Sequence, residues 1–86
     1  MKGGTDKMRD YKFSLSSGYS MIIRLGEEEV TVFTVKGREN SFSLEYSEAQ
    51  NSLRWNRDYY RARRLLPHGM LRNIENNCRE VVRRER

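Results

Sequence analysis

Two side chains in this 86-residue sequence have the chemistry for nucleophilic catalysis, His68 and Cys78, and each is the single residue of its type. A thiolate–imidazole pair needs both groups within hydrogen-bond reach. Cys78 falls about two and a half helical turns beyond His68, on the apolar stripe of a helix, where a small buried hydrophobe is the expected role. His68 sits between Pro67 and Gly69, the place of a turn or a helix cap. One histidine and one cysteine also fall short of the three or four converging ligands of a zinc site. The run Glu27–Glu29 reads as a solvated hairpin tip, and Gly3-Gly4 lacks the strand and helix that would make it a phosphate loop. The residue types therefore predict no enzyme, no metal and no cofactor. A lone cysteine forms no internal disulfide, which fits a reducing cytoplasm.

Arginine is the remaining chemistry. Residues 1–53 carry seven Lys or Arg against eight Asp or Glu, whereas residues 54–86 carry ten arginines against four acids. The net charge of +5 thus belongs entirely to the second half of the chain. Arg54, Arg57, Arg61 and Arg64 recur at helical spacing, and Arg72, Arg79 and Arg83 extend the pattern, so the set could meet phosphates along a groove. The same stripes would equally serve as solvated helix backs or face an acidic protein. Tyr60 is the one aromatic in the helical half expected to be exposed enough for a base to stack on it.

The elements that must position these residues follow from periodicity. Tyr11, Phe13 and Leu15 alternate with Lys12 and Ser14; Tyr19, Met21, Ile23 and Leu25 alternate with Ser20, Ile22 and Arg24; Phe42, Leu44 and Tyr46 alternate with Ser41, Ser43 and Glu45. These are half-buried strands. Val30–Val35, β-branched nearly throughout and apolar on both sides, reads as the central strand. The turns Ser16-Ser17-Gly18, Gly26–Glu29 and Lys36–Asn40 are short, so successive strands pair antiparallel as a meander.

Ser47 with Gln50 has the spacing of a capping box, predicting a helix from there to about Leu65. On it Trp55, Tyr59, Ala62 and Leu66 face the core, with Leu53 and Tyr60 on the flank. Pro67 stops it. Met70, Leu71, Ile74, Cys78, Val81 and Val82 then form the apolar stripe of a last helix, Met70–Arg86, with Arg72, Arg79, Arg83 and Arg86 opposite. The expected fold is α+β: a four-stranded antiparallel meander sheet with two antiparallel helices packed on one face, in the order β-β-β-β-α-α. Residues 1–10 are expected to be a flexible N-terminal leader and residues 11–86 a single domain. No apolar run approaches the roughly 18 residues of a membrane span, and no signal-peptide stretch opens the chain.

The run Leu66-Pro67-x-x-x-Leu71-x-x-Ile74-Glu75-Asn76-x-x-x-Glu80-x-x-Arg83-Arg84-Glu85 resembles the C-terminal end of small phage anti-CRISPR proteins that inhibit type I-F systems. Tyr11 and Tyr19, the Val35-x-Gly37 turn and the Glu45-Tyr46 pair have comparable spacing. The resemblance implies the same order of strands and helices. It also implies steric inhibition: those proteins bind the repeated backbone subunit of a crRNA-guided surveillance complex through the sheet and stop target DNA from hybridising. Of the family's binding tyrosines and glutamate, Tyr11 alone has a corresponding position. A second tyrosine falls near Leu25, and the glutamate has no counterpart.

What the resemblance implies is therefore a small cytoplasmic inhibitor, monomeric or homodimeric, that binds a host protein complex. The open face of the sheet is its expected contact, with Lys12, Ser14, Arg24 and Glu45 as protein-binding residues. Tyr11 joins them, although strand parity puts it on the core side, where a ring at a strand end could still reach solvent. The competing expectation is a basic nucleic-acid-binding module using Arg54, Arg57, Arg61 and Arg64.

Overall fold

The computed structural model describes residues 10–25 and 30–85. The expected leader and the Gly26–Glu29 turn lie outside these residues, apart from Asp10, which opens the first strand. The elements are β1 (Asp10–Ser14), β2 (Ser20–Arg24), β3 (Val30–Lys36), β4 (Ser41–Ser47), β5 (Ser52–Leu53), α1 (Arg57–Leu65) and α2 (Met70–Glu85). The strands form one antiparallel sheet in the order β1-β2-β3-β4-β5. The fold is α+β, with five strands where alternation predicts four.

Register follows side-chain parity. Tyr11 stands opposite Ile23, Ile23 opposite Phe33 and Phe33 opposite Leu44, all on the covered face. Met21, Val35 and Phe42 form the next row. A slip of one residue would turn every one of these to water. Gly37 lies under the ring of Tyr19: a Cβ there would fall within 3.0 Å of three ring carbons, so a side chain would push the ring off the sheet end.

α2 lays its stripe across the covered face. Met70, Ile74, Cys78 and Val81 are buried, and Leu71 and Val82 are partly buried against the same core, as their spacing predicts. Burial pushes the Cys78 thiol up, well above its ordinary value of 9.0, with the nearby Glu75 charge adding to the shift. The thiol is therefore un-ionised and enclosed. Labelling of native protein with a thiol reagent at pH 8 should be about 1,000-fold slower than labelling in denaturant, because access requires global opening. Native labelling as fast as that of a free thiol would contradict the packing of α2.

The first helix departs most from expectation. Residues 48–51 form a turn, β4 folds back on β5, and α1 begins only at Arg57. Ser47 Oγ does accept from the Gln50 N–H at 3.2 Å, the bond of a helix cap, but here it closes a hairpin turn. Asn51 takes a left-handed conformation (φ 58°) that ends any helical continuation. Its side-chain oxygen accepts from Tyr46 Oη at 2.6 Å and Arg79 Nε at 3.2 Å, fixing the turn between strand and helix. The true cap is Asn56, whose Oδ1 accepts from the Tyr59 N–H at 2.8 Å. α1 ends at Leu66, ahead of Pro67, and Gly69 (φ 85°) turns the chain into α2.

α1 lies chiefly against β4, while α2 crosses β2 and β5. The polar side chains of the helices close the free edge of the sheet. Asp58 Oδ2 accepts from Ser43 N–H at 2.7 Å, Asn56 Nδ2 donates to Ser43 O at 3.4 Å, and Arg61 Nη1 donates to Ser41 O at 3.5 Å. Next to them Glu75 Oε2 accepts from Leu53 N–H at 2.9 Å, and Arg79 Nη2 donates to Asn51 O at 2.9 Å. Side chains thus take the place of a longer β5 along Ser41 and Ser43 of β4, and cap the outer side of β5 at Leu53.

Candidate functional site

The face of the sheet away from the core is open. Lys12, Ile22, Thr34 and Ser43 form one row across four strands, and Ser14, Ser20, Lys36 and Ser41 form the next. All eight are exposed. Ile22, between Lys12 and Thr34 in its row and between Ser20 and Arg24 along its strand, is 45% exposed. At one end Arg24 grips Asp10 with two hydrogen bonds, 2.7 and 3.1 Å. That pairing lowers the Asp10 pKa and raises that of Arg24. Glu45, partly buried, lies 3.8 Å from the Arg54 guanidinium.

Lys12, Ser14, Arg24 and Glu45 are therefore brought to one surface. Tyr11 is not: it faces the covered side and is partly buried beside the core. Ile22 is the member that a search for charged and aromatic anchors passes over, although its parity with Ser20 and Arg24 places it there.

The arginine set of the competing reading is divided between α1 and the segment before it. Arg54 precedes α1 and extends the β5 segment, its N–H donating to Glu45 O at 2.9 Å. Arg61 pairs with Asp58 at 3.0 Å and lies over the Phe42 ring, 4.8 Å from its centre. Arg57 and Arg64 remain exposed and make no ion pair among the described residues. On α2, Arg79 pairs with Glu75, while Arg83 and Arg84 share Glu80 and hold its carboxyl below the usual range. Arg54 thus lies three residues ahead of the helix that carries Arg57, Arg61 and Arg64, and of these Arg61 is engaged with Asp58 and Phe42.

Trp55 is the larger surprise. A helix from Ser47 would bury it, yet it precedes α1 and is 72% exposed. Its ring runs nearly parallel to Tyr59 (16°, centres 6.2 Å apart), and Tyr60 meets Tyr59 edge-on at 5.7 Å. Asn56 with Asp58 two residues on is the capping signal that would have placed Trp55 outside the helix. His68 is exposed in the interhelical turn, whereas Cys78 is buried. Among the described residues, no three His, Cys, Asp or Glu side chains gather to hold a metal, and no helix is long and apolar enough to cross a membrane. Comparison with family models, with curated proteins and with solved structures finds no match to this chain.

Proposed function

We propose that the protein is a non-enzymatic inhibitor of the phage type, which docks the open face of its sheet on a host protein complex and works by occupying space. The observation that carries this reading is the uncovered face itself. The apolar alternation of β1, β2 and β4 and the stripe of α2 serve one side of the sheet, leaving Ile22 exposed on the other with Lys12, Ser14, Thr34 and Ser43, and Arg24 at the rim. A small apolar anchor inside a polar rim is the usual layout of a protein contact. The C-terminal resemblance to type I-F anti-CRISPR proteins supplies the target class, the backbone subunit of a crRNA-guided surveillance complex. The compartment follows from that target: the host cytoplasm.

The test is capture of purified type I-F surveillance complex by immobilised protein, with target-DNA binding as the second readout. Wild type should bind and block the DNA. Ile22→Glu should bind at least about 30-fold more weakly, the effect of losing an interface anchor, with circular dichroism unchanged because the site faces solvent. Lys12→Glu should weaken capture less. If wild type fails to bind the complex, the target is wrong; if Ile22→Glu and Lys12→Glu bind as well as wild type, the sheet is not the contact.

A further inference from the structure

We propose that Trp55, Tyr59 and Arg72, with Arg63 and His68 beside them, form a second site, which binds single-stranded nucleic acid. This goes beyond the inhibitor reading and uses the helical side of the molecule, not the open sheet face.

Trp55 is the most exposed of the large hydrophobic side chains identified at the surface. Water alone does not favour leaving so large a ring uncovered. One side of the indole is supported by Tyr59, and at 72% exposure the rest of it meets solvent. Two near-parallel rings with an open outer face continue naturally into a third flat ring, such as an unpaired base. Both rings line a cleft of about 310 Å³ together with Ser52, Leu71 and Arg72. An adjoining cleft of about 140 Å³ shares Leu71 and Arg72 and adds Arg63 and His68. Arg72 thus joins the aromatic platform to a second cationic patch.

Charge selects the occupant. Among the described residues, Arg63 and Arg72 make no ion pair, whereas Arg61, Arg79, Arg83 and Arg84 all have carboxylate partners. Glu75 is the acid lining the larger cleft, and its two oxygens are taken by Leu53 N–H and Arg79. What faces a ligand is therefore an aromatic surface next to uncompensated guanidinium groups. That alternation suits a strand whose bases stack while its phosphates lie alongside. A duplex hides its base faces and cannot use the platform.

Trp55 is the chain's single tryptophan, so its fluorescence reports this site directly. Titration of the full chain with a thymidine 12-mer at about 25 mM salt should quench it, with affinity falling steeply towards about 200 mM. Trp55→Ala, followed by anisotropy of a labelled 12-mer, should bind at least about tenfold more weakly. Arg72→Gln should bind more weakly and flatten the logarithmic salt slope by about one. Both side chains are exposed, so the thermal midpoint should not move, and the binding loss is separable from misfolding. Absence of quenching at low salt overturns the proposal. So does equal quenching by a duplex, which would mean phosphate contact without stacking, or stronger quenching by a polyglutamate peptide, which would make this a protein site.

Discussion

Phe42→Ala is expected to lower the free energy of unfolding by about 3–5 kcal/mol, the largest loss of any single truncation considered for this chain. Phe42 is fully buried on β4, opposite Val35 of β3. Removing its ring loses the transfer energy of the side chain and leaves a cavity between sheet and helices that the packed neighbours close only in part. The ring also carries the Arg61 guanidinium at 4.8 Å, an attraction worth about 0.5–1 kcal/mol at a partly exposed site. A domain of this size has only about 5–15 kcal/mol to lose. Urea denaturation should show the midpoint falling with an unchanged slope. Phe42→Leu, which keeps most of the burial but not the π face, should cost about 1–1.5 kcal/mol. Equal losses for Ala and Leu would mean that packing contributes little at this position.

Asp58→Ala should cost about 1–2 kcal/mol, a large effect for a surface residue. Its carboxylate is no ordinary surface charge: it takes the Ser43 N–H of β4 at 2.7 Å and Arg61 at 3.0 Å. Truncation loses a charge-assisted bond and leaves the exposed Ser43 N–H to water, whereas Asp58→Asn keeps an acceptor and should cost about half as much. The Ser43 hydrogen bond, and after it Arg61, hold the Asp58 carboxyl below its ordinary value of 3.8. A carboxyl with its pKa lowered by folding contributes fully above the unfolded value, and that contribution disappears as pH falls through the folded value. Wild type should therefore lose stability as pH falls below about 4, and Asp58→Asn should lose less over the same interval. Asp10 and Glu80 shift in the same direction, but their ion pairs are solvent-exposed and add little. Parallel acid profiles for wild type and Asp58→Asn would show that this carboxylate does not hold α1 to the sheet.

How far the sequence could be read depended on whether one local pattern had one physical meaning. Alternation in Tyr11–Leu15, Tyr19–Leu25 and Phe42–Tyr46 has no competing interpretation, so the strands and their buried faces were legible. The stripe from Met70 to Val82 was equally plain, and Pro67 marked the break between helices. Ser47 with Gln50 was different. A serine oxygen bonding the third N–H onward is common to a helix start and to a tight turn, and only residues beyond the pattern decide. Here Asn51, held by Tyr46 of the adjoining strand and by Arg79 from across the fold, decides for the turn. Everything dependent on that assignment moved with it: Leu53 into a strand, Arg54 off the helix, Trp55 into solvent. On the open face, parity placed Lys12, Ser14, Arg24 and Glu45 together without any knowledge of long-range contacts. Arg61 and Arg79 were misread as surface charge because their tasks, covering Phe42 and holding Asn51, exist only once the chain has folded.

The closure of one side of the sheet by Asp58, Asn56, Glu75 and Arg79 gives this molecule a polarity of assembly. Among the described residues β1 pairs only with β2, so a backbone joining by strand addition would meet the sheet at β1. A second copy adding there would meet β1 with its own β1 about a two-fold axis, and the resulting pair would present a blocked margin at each extremity. Such a ribbon stops at two chains. Among the described residues, cross-β polymerisation, the usual hazard of a small β-rich protein at high concentration, would then find no second open strand edge from which to propagate.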